Sequence, residues 1–105
     1  MNQEKVIEQL KVNIKAIYHK AVDADKVISA QQADGLGQFD KIFVDNSPFS
    51  TESDHFLPYV EELANDLLRL QQSEDEQSFK TVLEALVVKI ELAHKTLASF
   101  KQLLG

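Results

Sequence analysis

The sequence has no cysteine and no tryptophan, and its 105 residues include three glycines, two prolines, one methionine and a single arginine, Arg69. Without cysteine there is no disulfide framework and no thiolate metal site, and a reducing cytoplasm is the natural compartment. With so little glycine and proline, long stretches run free of helix breakers. No run of about 20 apolar residues occurs, so no transmembrane span or signal peptide is expected. The N-terminal MNQEKVIEQLKVNIK interrupts every apolar pair with charge or amide.

The apolar content of 44% and charged content of 27% are those of a globular chain, and the length suits one domain with one core. The net charge of −6 is unevenly spread. Residues 1–38 balance five lysines against five acids, residues 39–78 set ten acids against Lys41 and Arg69, and residues 79–105 set four lysines against Glu84 and Glu91. An acidic protein repels phosphates, so direct DNA binding by the whole surface is disfavoured, which leaves weak single-stranded DNA contact to a local basic stripe on the outer helices.

Apolar periodicity predicts an all-α fold: an antiparallel bundle of three main helices, over about 2–32, 54–72 and 74–103, plus a short helix near 38–44. In the first segment Ile7, Leu10, Ile14, Ile17, Ala21, Ala24 and Ile28 recur at spacings of three and four. Ala33-Asp34-Gly35-Leu36-Gly37 ends it, because glycine accepts the left-handed backbone of a helix stop. Phe39, Ile42 and Phe43 share one side of the short helix, and residues 44–54 read as loop. The next helix is expected to start at Ser53 or Asp54, with Pro58 in its first turn and a seam of Phe56, Val60, Leu63, Leu67 and Leu70. Ser73 and Glu76 read as a capping box opening the last helix. Its seam is Phe79, Val82, Leu83, Leu86, Ile90, Ala93, Leu97, Phe100 and Leu104. The short connection at Ser73 makes the last two helices antiparallel neighbours.

No constellation points to chemistry. His19, His55 and His94 form no metal-ligand pair at helical spacing, and no Glu-x-x-His motif exists for a carboxylate-bridged metal bundle. The acidic runs lack the glycine and terminal glutamate of a calcium loop, and Gly35-Leu36-Gly37 has no following Lys-Ser/Thr to make a phosphate loop. No cofactor, no metal and no enzymatic activity are expected. Partner binding is the remaining class. Phe49, after Pro48 in a polar loop, is a candidate exposed anchor. With Tyr59, Glu61 and Glu62 it forms the candidate contact surface, whose acidity suits a basic protein face. Val12, Val22, Val27 and Val88 mark an interface if they stay exposed once the monomer packs, so the second reading is a helical adaptor or self-associating bundle of another pathway, a homodimer being one form of it.

The central block carries a resemblance. Phe39-Asp40-Lys41-Ile42-Phe43 is followed by Phe56-Leu57-Pro58-Tyr59-Val60-Glu61-Glu62-Leu63 and by the amphipathic segment containing Leu83-Glu84-Ala85-Leu86-Val87. Over about residues 38–97 this resembles the N-terminal part of the primosomal replication protein N″ (PriC) family. The resemblance implies a helical intracellular protein of replication restart, which binds single-stranded-DNA-binding protein and helps reload the replicative helicase machinery. Family members continue into a half rich in arginine and lysine that carries much of the DNA contact and the pocket for the acidic tail of single-stranded-DNA-binding protein. Positions matching that half do not occur in this sequence, so its residues do not carry over.

Overall fold

A computed structural model describes residues 3–33 and 47–104, with side chains up to residue 100. Among the described residues there are three helices, α1 (Gln3–Ala33), α2 (Leu57–Gln71) and α3 (Glu76–Leu104). Each packs against the other two, in a body of 50 × 24 × 18 Å. The long dimension is that of α1, whose 31 residues span about 46 Å at the α-helical rise. The all-α bundle read from periodicity is the fold. The short helix expected at 38–44 lies outside the described residues.

The seams meet as the spacing requires. Leu10, Ile14, Ile17, Ala21, Ala24 and Ile28 are buried on α1, and Val60, Leu63, Leu67 and Leu70 on α2, with Phe56 just before it. Phe79, Leu86, Ile90, Ala93 and Leu97 close the core from α3, flanked by the partly buried Ile7, Val82, Leu83 and Phe100. Ala21, Leu63 and Leu86 are wholly enclosed. The helix directions follow from side-chain pairs between helices. The Phe56 and Phe100 rings meet edge to face at 5.6 Å, while Lys89 reaches Glu62 and Asp66 further down α2, so α2 and α3 run antiparallel. Asp25, late in α1, meets the start of α2.

Two helix starts differ from expectation. Helix α2 begins at Leu57, not at Ser53 or Asp54, and Phe56 in the N-cap position has no side-chain acceptor to offer. The cap comes from another helix. Asp25 Oδ1 accepts the Phe56 N–H at 2.6 Å and Oδ2 accepts the Leu57 N–H at 3.0 Å. Pro58 has no N–H to satisfy, and the N–H groups of Tyr59 and Val60 donate to the Phe56 carbonyl. Ser53 and Asp54 are engaged elsewhere, Ser53 with His55 and Tyr59, Asp54 with Gln32 and His55. Helix α3 begins at Glu76 under Asp75, whose Oδ1 accepts the Ser78 N–H at 2.7 Å. Ser73 is not part of a capping box. Its hydroxyl donates to the Arg69 carbonyl at 3.1 Å and so finishes α2.

Candidate functional site

The densest set of polar contacts joins the strap before α2, residues 47–56, to the facing sides of α2 and α3. Glu62 is its centre. Its carboxylate accepts the Ser50 N–H at 3.0 Å, the Thr51 N–H at 2.6 Å and the Thr51 hydroxyl at 2.6 Å. Lys89 of α3 donates to Glu62 at 2.8 Å and to Asp66, one turn on, at 2.6 Å. Asp66 also faces Arg69 at 3.5 Å on the open side. The Lys89 ammonium lies 5.9 Å from the centre of the Phe49 ring, which meets Tyr59 edge to face at 5.2 Å. Tyr59 in turn donates its hydroxyl to the Ser53 carbonyl and accepts the Ser53 N–H. A cleft of about 310 Å³ opens beside this clasp, bordered by Ser50, Thr51, Glu61, Glu62, Asn65 and Arg69 among others.

The electrostatics are those of a closed structural network. Burial pushes the Glu62 carboxyl up, but the hydrogen bonds from Lys89, Thr51 and the strap backbone outweigh it and hold the group at about 2. Burial pushes the Lys89 ammonium down, and Asp66 and Glu62 more than reverse that, so it lies above its ordinary value. Among the described residues no buried side-chain nitrogen or oxygen lacks a partner. A carboxylate held at about 2 is too weak a base to take a proton from the Thr51 hydroxyl near neutrality, so the pair is not an activated nucleophile.

The pH consequence has a definite sign. Glu62 is depressed from its ordinary 4.5 to about 2, so its contribution to stability is complete above pH 4.5 and is lost as the pH falls toward 2. Asp54, held down by His55 and Gln32, and Asp75, held down by Ser78, act in the same direction. The thermal midpoint is therefore expected to fall through that window. Glu62→Gln, measured by circular dichroism melts across acid pH, should flatten the fall.

The four residues expected to form a contact surface are not a surface. Phe49 is 7% exposed and Tyr59 2% exposed, both in the core cluster, because a loop phenylalanine gains more by tucking against Tyr59 than by standing in water. Glu62 is occupied by the strap and Lys89. Only Glu61 of the four is exposed. The histidines are likewise accounted for. His94 hydrogen-bonds Asn13 at 3.1 Å and is held below its usual range by burial and by Lys20, while His55 contacts Asp54 and Ser29. His19 is exposed and lies edge to face with the Tyr18 ring. Among the described residues no three histidines or carboxylates are grouped to hold a metal ion. No helix among them is long and apolar enough to cross a membrane.

Sequence reasoning missed Asp25, Asp66 and Lys89, the buried charges among the described residues. A signal for them existed. Each falls at seam spacing, Asp25 between Ala21 and Ile28, Asp66 between Leu63 and Leu70, Lys89 between Leu86 and Ala93. A charge at such a position is either buried and paired or an interruption of the stripe. A second, more apolar groove of about 580 Å³ runs between α1 and the start of α2, lined by Val22, Asp25, Lys26, Ser29, His55 and Leu57.

No family model, curated protein or solved structure matches the chain. The fold and the clasp therefore stand on their own geometry.

Proposed function

We propose that this chain is a PriC-like accessory of replication restart that works by binding proteins and not by catalysis. One observation supports the reading most: the described part of the resembling block forms one physical unit. Phe56, Tyr59, Val60 and Leu63 before and along α2 face Phe79 and Leu86 of α3 in the same core cluster. The resembling residues are thus scaffold, which is where a shared fold leaves its pattern. The partner is single-stranded-DNA-binding protein or the helicase-loading machinery, in keeping with the resemblance. Contact is made by exposed side chains such as Glu61, since Phe49 and Tyr59 are enclosed. The net charge of −6 argues for a protein partner over bare DNA.

The test is a calorimetric titration of the chain with single-stranded-DNA-binding protein, intact and lacking its acidic tail, and with a single-stranded oligonucleotide. Saturable binding to the intact protein, retained when the acidic tail is removed because an acidic surface at Glu61 does not recruit it, and none to the oligonucleotide are expected. Absence of saturable binding to the intact protein would sink the reading.

A further inference from the structure

Three side chains form a relay where the strap meets α1. The Ser29 hydroxyl lies 3.0 Å from His55 Nε2, and His55 Nδ1 lies 2.7 Å from Asp54 Oδ1. The ionised Asp54 carboxylate can only accept, so in the neutral ring Nδ1 carries the proton and Nε2 holds the lone pair. That lone pair accepts the Ser29 O–H. Other contacts brace the relay. Gln32 donates to the second oxygen of Asp54 at 2.8 Å, and the His55 N–H donates to the Ser53 hydroxyl at 3.1 Å. Asp25 pins the next two amides, those of Phe56 and Leu57. Ser29 is exposed, and with His55 it opens onto the groove of about 580 Å³. Asp54 and His55 are consecutive and Ser29 stands 26 residues before the histidine, so no spacing in the sequence announces the set.

We propose that Ser29, His55 and Asp54 form a hydrolytic site for neutral carboxylic esters with a short apolar acyl chain. Nucleophile, base and orienting carboxylate stand in hydrogen-bond sequence, the arrangement that activates a serine. Ser29 Oγ bonds to the ester carbonyl carbon while its proton passes to His55 Nε2. The imidazolium gives that proton to the leaving alkoxide as the C–O bond breaks. Water then attacks the acyl-serine, and its proton returns through Nε2 to the Ser29 oxygen. One ester and one water become one acid and one alcohol. Lys26 lines the groove three residues before Ser29 on α1, and it supplies positive charge for the oxyanion. Asp54 touches no substrate. It is a positioning residue that holds the ring in the tautomer Ser29 needs. The substrate class follows from the walls. Val22 and Leu57 offer an apolar seat for the acyl chain, while the carboxylates of Asp25 and Asp54 repel an anionic one. A single flexible cation stabilises an oxyanion less than paired backbone donors do, so esters and not peptides are within reach. The partner contact proposed for replication restart is a separate property of the chain, and neither test decides the other.

The test uses the full chain with p-nitrophenyl butyrate as substrate and phenylmethylsulfonyl fluoride as a trap for the serine. Hydrolysis above the protein-free rate, saturating in substrate, is expected. The sulfonyl group should be found on tryptic peptide 27–41, where Ser29 is the only hydroxyl-bearing side chain. Ser29→Ala should lower kcat/KM by about 100-fold or more. Asp54→Asn should lower kcat by about tenfold at unchanged KM, the mark of a lost tautomer and not of a lost fold. His19→Gln should leave the rate unchanged, since that exposed imidazole lies outside the site. Circular dichroism melts check that each variant folds. No hydrolysis above background, hydrolysis retained in Ser29→Ala, an unchanged kcat in Asp54→Asn, or sulfonylation elsewhere than at Ser29 would each overturn the proposal.

Discussion

Lys89→Met is expected to lower the free energy of unfolding by about 3–5 kcal/mol, measured by urea denaturation followed by far-UV circular dichroism. Lys89 is 9% exposed and is shared by two carboxylates that are themselves nearly enclosed. Removing it leaves Glu62 and Asp66 a turn apart with no cation between them, and only Arg69 on the solvent side of Asp66 to offset the loss. The magnitude belongs to the orphaned charges more than to the pair that was broken. A companion variant separates the two. Glu62→Gln with Asp66→Leu and Lys89→Met removes all three charges while the amide oxygen still accepts from Thr51, at the cost of the acceptor for the Ser50 N–H. It should recover more than half of the loss, since an apolar replacement of a buried ion cluster is often neutral. If the triple variant is as unstable as Lys89→Met alone, desolvated charge is not the cause. The strap should loosen too, and faster amide exchange at Ser50 and Thr51 in Lys89→Met would report it.

The second large effect is expected at Asp25. Asp25→Ala should cost about 2–3 kcal/mol, because it strips acceptors from two N–H groups at the start of α2, one of them on the buried Phe56. Asp25→Asn keeps one acceptor oxygen and should cost about half as much. The measurement is again a urea midpoint, paired with hydrogen exchange at Leu57. Unchanged exchange at Leu57 in Asp25→Ala would show that the cap is not what holds α2 in place.

These two positions mark the limit of what was legible in the sequence. The seams of α1, α2 and α3 were readable because burial of one helix face imposes a local period, and Leu10 through Ile28 or Phe56 through Leu70 express it within a single segment. Helix ends were less readable. Ser53, Asp54 and Ser73 all have capping chemistry, yet each is used elsewhere, and the acceptor for α2 sits 31 residues earlier, on α1. No local pattern encodes a partner at that distance. Phe49 shows the same limit from the other side. Its polar neighbours suggested exposure, but the ring's seat is built by Tyr59 and Lys89, which reach it only once α2 and α3 have packed. The clasp was therefore invisible as a set, while its members at seam spacing were individually conspicuous.

The cap supplied by Asp25 also fixes an order of dependence among the helices. Helix α2 has 15 residues, a length at which an isolated helix is marginal in water, and its first amides find acceptors only when α1 is docked. The hairpin of α2 and α3 is thus a guest of α1. Cut free of residues 3–33, the remainder would keep its turn at Ser73 and the cap at Asp75 but would fray from Phe56 inward, toward the carboxylate that anchors the strap.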